Sequence, residues 1–227
     1  MPKPLFEAAT KDDLATVKHL ATDSVTLHER DEHGATALHW AGSLRVVEAL
    51  LASGADANLA DNEGKTPLYW HASEVDLVRA LLAAGAEPKI WGKVGGSTPL
   101  HQAAGANAAE SVKLLIAAGA PVESLTSTAS YYPGRTPLHE AAEKDAVDAV
   151  KALLDLGADL EASDHGREGY EREGGETALN LAVQGGHVAT VRFLLDRGAA
   201  PHASSNDGRT PSERAEDSDE EISALFR

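Results

Sequence analysis

One four-residue phrase appears five times along this 227-residue chain: Thr36-Ala37-Leu38-His39, Thr66-Pro67-Leu68-Tyr69, Thr98-Pro99-Leu100-His101, Thr136-Pro137-Leu138-His139 and Thr177-Ala178-Leu179-Asn180. A degenerate copy, Thr210-Pro211-Ser212-Glu213, closes the series. The interval is shortest between Thr36 and Thr66 and longest between Thr136 and Thr177. After each of the first five copies comes a second phrase, Leu-Leu or Leu-Ile followed by Gly-Ala, as in Leu50-Leu51 with Gly54-Ala55 and Leu194-Leu195 with Gly198-Ala199. This periodicity constrains the fold more than any other feature. A unit of this length cannot bury its apolar side alone and must stack on copies of itself.

Each phrase has a local physical meaning. Thr is a good N-cap, because its side-chain oxygen accepts from the free amides of a helix start. Pro at the first helical position loses nothing by lacking an N–H. The Leu that follows enters the core. Further on, Val46, Val47, Leu50 and Leu51, or Val147, Val150, Leu153 and Leu154, form the stripe of a second amphipathic helix. The glycine after it permits a left-handed C-terminal cap. Each unit is therefore expected to be two short antiparallel helices and a loop. The apolar content of 42% is mostly Ala and Leu and aromatics are only 4%, which favours helices over sheet.

The Thr-Pro-Leu-His phrase, recurring with a period of about 33 residues, resembles the ankyrin repeat. The resemblance covers nearly the whole chain. It implies an all-α repeat solenoid, a single elongated domain over residues 1–227, with helix–turn–helix units joined by β-hairpin finger loops. Repeats are expected at about 3–34, 35–64, 65–96, 97–134, 135–175 and 176–208, with a C-terminal capping repeat at 209–227. The resemblance also implies a concave face of fingers and first helices that recognises protein partners. It further implies that His39, His101 and His139 tie one repeat's loop to the next rather than binding metal.

Irregularities stand out against so regular a scaffold. The stretch from the phrase Leu to the second helix's core Val is equal in four units, Leu5 to Val17, Leu100 to Val112, Leu138 to Val150 and Leu179 to Val191. It is shorter from Leu38 to Val47 and from Leu68 to Val78. Both trimmed units carry aromatics there, Trp40, Tyr69 and Trp70, beside His71, so a notch is expected at that place. Two loops are lengthened: Gly119 to Thr136 and Gly157 to Thr177 are both longer than Gly54 to Thr66 or Gly198 to Thr210. Surface insertions of this kind often carry binding residues. They hold Tyr131, Tyr132 and Arg167, and Trp91 sits in a further finger. These eight residues are the candidate partner contacts.

The formal charge of −16 would repel nucleic acid and anionic membranes and attract a basic protein. There is no cysteine, which excludes disulfides and thiolate chemistry. The first residues lack the apolar stretch of a signal peptide, and no apolar run reaches the ~18 residues of a membrane span, so a cytoplasmic, monomeric protein is expected. Neither Gly92-Lys93-Val94-Gly95-Gly96-Ser97 nor Gly174-Gly175 makes a phosphate-binding loop, and no nucleophile elbow is present. The expected function is protein–protein interaction, without catalytic residues, cofactor or metal. A second reading is a small-molecule binder or unusual enzyme using the Trp/His notch.

Overall fold

The computed structural model describes residues 4–90, 92, 96–127, 130–166, 174–218 and 220–227. Seven packed helix pairs follow one another along the described chain. They are α1 (Pro4–Thr10) with α2 (Leu14–Leu20), α4 (Ala37–Trp40) with α5 (Leu44–Ala52), α6 (Pro67–Trp70) with α7 (Val75–Ala83), and α8 (Pro99–Gly105) with α9 (Ala109–Ala117). Then come α10 (Pro137–Glu143) with α11 (Val147–Asp155), α12 (Ala178–Gln184) with α13 (Val188–Asp196), and α14 (Pro211–Glu216) with α15 (Glu220–Leu225). A single turn, α3 (Ser24–Leu27), capped by the Asp23 side chain, occupies the first connection and had no counterpart in the repeat phrases.

First helices pack on neighbouring first helices and second helices on second helices, giving two layers built by nearest-neighbour contact. The core follows the two phrases. Leu38, Leu68, Leu100, Leu138 and Leu179 are buried in the first layer, and Leu50, Leu81, Leu115, Leu153 and Leu194 in the second. Alanines such as Ala103, Ala104, Ala141 and Ala142 are fully enclosed, which lets neighbouring first helices approach closely. Truncating one of these leucines to Ala removes about 2–5 kcal/mol of transfer and cavity energy. After five of the second helices, α5, α7, α9, α11 and α13, the expected left-handed glycine is present, with φ of 87 to 98° at Gly54, Gly85, Gly119, Gly157 and Gly198. No helix of the described residues is long and apolar enough to cross a membrane.

The fingers are hairpin turns rather than strand ladders. The short loops close on a few backbone bonds, such as Asp31 N–H to the Ala35 carbonyl (3.0 Å) and Asp61 N–H to that of Lys65 (2.8 Å). Among the described residues the β signature is a single antiparallel bridge, Ser163 to Thr177. Neighbouring fingers are stitched together edge to edge, Asn62 N–H donating to the His33 carbonyl at 2.8 Å. At Gly34, with φ of +76°, a Cβ would lie 2.3 Å from the Asn62 side chain, so only glycine allows these two fingers to meet.

The recurring imidazoles join each first helix to the next finger. Nδ1 of His39 accepts from the Thr36 N–H at 3.0 Å, which leaves Nε2 to donate to the Lys65 carbonyl of the next finger at 3.1 Å. His101 repeats this with Thr98 and the Arg135 carbonyl, and His139 with Thr136 and that of Glu176. Asn180 holds the same place in the sixth pair and accepts from the Thr177 hydroxyl. All three rings are buried.

Trimming acts on the first helices. α4 and α6 have four residues each, against seven in α8, α10 and α12. The longer pairs turn through a left-handed residue, Asp12, Asn107, Asp145 or Gly186. Three of these residues reach into the next repeat. Asn107 Oδ1 accepts from the Asp148 and Ala149 N–H groups at 3.0 Å, Asp145 accepts from the Thr190 hydroxyl, and Asp12 accepts from Ser43 and Arg45. The trimmed turns have no such residue. Of the second helices that follow them, α5 is capped by the Ser43 hydroxyl, and α7 starts at Glu74 without a side-chain cap.

The imidazole bridges make stability depend on pH. Burial pushes His39 and His101 down to about 4 from 6.5, and lowers His139 as well. The folded chain thus binds fewer protons than the unfolded one between these values. The stability these rings contribute is complete above about pH 6.5 and is lost as pH falls towards about 4. Each ring shifted this far contributes on the order of 3 kcal/mol to that loss. We expect a His101→Asn chain, carrying the residue found at position 180, to be less stable near neutral pH but to lose less stability on acidification. Urea unfolding across this pH window checks it; an unchanged slope would contradict it.

Candidate binding groove

The trimmed helices end at Trp40 and Trp70, so both indoles stand at the junction of first helix and finger. Each is held from its own finger. Trp40 Nε1 donates to Asp31 Oδ2 at 2.9 Å and Trp70 Nε1 to Asp61 Oδ2 at 3.0 Å. The other oxygen of each carboxylate organises the turn. Asp31 Oδ1 accepts from the His33 and Ala35 N–H groups, and Asp61 Oδ1 from those of Glu63 and Lys65, all at 2.9 Å. One carboxylate therefore shapes the finger and fixes the ring. The two indoles meet edge to face, with centroids 5.1 Å apart at 74°, and His39 packs against Trp70 in the same manner at 5.4 Å.

Beside the rings lies an open groove of roughly 480 Å³, bordered by Trp40, Tyr69 and Trp70 together with Glu32, Asp61, Glu63, Lys65 and Gln102. Trp40 is 36% exposed. A second hollow of roughly 290 Å³ continues from it through the shared Tyr69 and Gln102, towards His101, Glu140 and Lys144. Burial raises the Glu140 carboxyl above the usual range. The first groove presents three carboxylates against one ammonium, that of Lys65. This ammonium sits 2.7 Å from Glu63 and 5.2 Å from the centre of the Tyr69 ring.

His71 lies apart from the groove's lining. It is buried, its Nε2 donates to the Leu38 carbonyl of the preceding repeat at 3.1 Å, and its Nδ1 is 3.5 Å from Glu74. It is a tie between the two trimmed repeats, and the notch is lined by Trp and Tyr without it. Among the described residues, no group of three His, Cys, Asp or Glu side chains could hold a metal ion.

Tyr131 and Tyr132 form a separate aromatic cluster on the lengthened fourth finger. They are 64% and 44% exposed and stack edge to face, 4.7 Å apart. Their support is Arg135, only 3% exposed, whose guanidinium carbon lies 3.9 Å from the Tyr132 ring centre. Arg135 also pairs with Glu143 of α10 at 2.9 Å and faces Asp164 of the next finger at 3.6 Å. Trp91 and Arg167 lie outside the described residues. The roles of Asp31, Asp61 and Arg135 are not among the sequence expectations. The two aspartates did leave a signal, since each stands at the same spacing before its tryptophan in both trimmed repeats.

A solenoid of stacked helix pairs, bridged by buried capping-box histidines and open along its fingers and first helices, defines a class of repeat scaffold. A family model described as ankyrin repeats in three copies matches residues 5–91 and again 73–164, and another described as ankyrin repeats in many copies matches 138–195. The chain belongs to the ankyrin repeat family, whose members are generally protein–protein interaction modules. Similar solved structures include the human ASB11 ankyrin repeat domain, at 25% identity and a TM-score of 0.81, covering 99% of this chain and 96% of that one. The ankyrin repeat domain of Bcl-3, a member of the IkappaB protein family, aligns at 25% identity and a TM-score of 0.75, covering 100% and 98%. Among curated proteins, Tyrosine-protein kinase HTK16 of Hydra vulgaris is 36% identical over 130 residues, which is 52% of this chain and 16% of that protein. An ankyrin repeat protein of Fowlpox virus, FPV024, is 31% identical over 85 residues, 36% of this chain and 14% of that protein. The chain thus matches less than a fifth of the length of these curated relatives.

The Asp–Trp ties can be tested directly. Asp61→Ala strands the Trp70 N–H and two finger amides, and we expect about 2 kcal/mol of destabilisation with a red shift of the tryptophan emission. Chemical unfolding and fluorescence measure both; stability equal to the parent chain would show that the tie is incidental.

Proposed function

We propose that this chain is a protein-binding module that reads its partner along the concave face formed by fingers and first helices, with contacts concentrated at the trimmed second and third repeats and at the Tyr131/Tyr132 finger. The observation that carries this reading is the fixing of Trp40 and Trp70 by finger carboxylates beside an open groove. Rings held in advance lose little side-chain entropy on binding, and large aromatic contacts dominate interface energies. The reading includes a monomeric chain acting in the cytoplasm. Its partner is a basic protein rather than nucleic acid or membrane, which the net charge of −16 supports. The groove runs on into the second hollow instead of enclosing a small molecule, which favours an extended polypeptide.

The test is affinity capture from the native cell with variants of the two faces. We expect Trp40→Ala and the pair Tyr131→Ala/Tyr132→Ala each to weaken capture of the same partner at least about tenfold. Glu48→Gln and Asp76→Asn, exposed on the second helices α5 and α7, should retain it. Circular dichroism melting confirms that each variant is folded. Capture that survives all concave-face changes would contradict the reading.

A further inference from the structure

Every carboxylate and ring of the groove beside Trp40 and Trp70 bears on what can enter it. Each indole N–H is already held by Asp31 or Asp61, so what the rings offer an incoming group is π surface. A π face attracts cations and gives nothing to an anion. Around this surface stand Glu32, Asp61 and Glu63. Asp61 is engaged by its finger and by Trp70, and Glu63 by Lys65 at 2.7 Å. Among the described residues, the Glu32 carboxylate has His33 at 3.7 Å as its ion-pair neighbour, and its side chain is 88% exposed.

The groove already displays the chemistry it would use on a partner. Lys65 places its ammonium over the Tyr69 ring and against Glu63, a cation held between π surface and carboxylate by the chain itself. The space beside Trp40, Trp70 and Glu32 repeats the ring and the carboxylate, and among the described residues Lys65 is the one lysine or arginine that borders the groove.

Resting on the concave-face reading above, we infer that this groove takes the guanidinium of an arginine presented by an extended basic segment of a protein partner. The flat face of the guanidinium lies on the exposed Trp40 ring and its edge turns to Glu32 and, in competition with Lys65, to Glu63. Arginine suits the place better than lysine, because its planar and weakly hydrated head stacks on aromatic rings while keeping in-plane donors for carboxylates. The overall negative charge brings the basic segment in, and the groove selects its side chain.

The probes are hexa-arginine and hexalysine, titrated into the full chain at about physiological salt and followed by tryptophan fluorescence. Hexa-arginine should give a saturable change and bind several-fold tighter than hexalysine. Trp40→Ala and the pair Glu32→Gln/Glu63→Gln should each weaken hexa-arginine at least about tenfold, Trp40→Phe less, and Lys65→Ala should tighten it a few-fold. The pair Glu48→Gln/Asp76→Asn removes as much charge from the second helices and should change nothing. The carboxylate pair and Trp40→Phe keep the test decisive even where Trp40→Ala disturbs folding. Equal binding to every folded variant would reduce the effect to general attraction by an acidic chain and overturn the inference, as would no binding at all. If hexa-arginine ignores the groove while Trp40→Ala still loses the captured partner, the cation assignment fails and the concave-face reading stands.

Discussion

The imidazole that accepts from its own helix start and donates to the next finger is the interaction on which the rest of this structure depends. His39, His101 and His139 each convert a local cap into a bond between repeats. Because the rings are buried, they must be neutral, and because the bonds cross repeats, each unit is complete only when its neighbour is in place. Leucine packing supplies the bulk of the stabilisation without direction; the imidazoles set the register in which finger, first helix and following finger are stacked. Every feature of the groove inherits that register, since Trp40 and Trp70 belong to the helices these histidines cap or touch.

The groove arises where the scaffold gives up regularity. Shortening α4 and α6 ends each helix at its tryptophan and removes the left-handed turn residue that elsewhere reaches into the next repeat. Other contacts compensate: His71 bonds back to the Leu38 carbonyl, and Asp31 and Asp61 hold the indoles from the fingers. The consequence is an aromatic surface with fixed rings and surplus carboxylates, made from residues that also hold the fingers in place. Arg135 plays the comparable part for the fourth finger, a buried cation that braces Tyr132 and joins it to Glu143 and Asp164.

Much of the fold could be read from the residues because its signals are short and repeated. A Thr-Pro-Leu-His phrase encodes a helix start within one tetrapeptide, and a Leu-Leu-x-x-Gly phrase encodes a helix end. The aromatic notch was legible through the shortened spacings, which placed Trp40, Tyr69 and Trp70 together. Its lining was not, because which side of a one-turn helix faces a groove depends on packing: His71, immediately after Trp70, turns the other way into the preceding repeat. Arg135 was invisible for a related reason. A cation before a threonine looks like an ordinary loop residue until two acids and a ring from other positions close around it. The helix α3 had no repeat phrase to announce it, only an Asp23 cap.

The proposed recognition surface is one face of this solenoid, densest at the trimmed repeats. Hydrogen–deuterium exchange on the whole chain, alone and with its captured partner, tests it most directly. Added protection is expected in α4, α6 and α8 and in the fingers around Asp31 and Asp61, with α5, α7 and α9 unchanged. Protection confined to the second helices, with the tryptophan repeats exchanging as in the free chain, would contradict it.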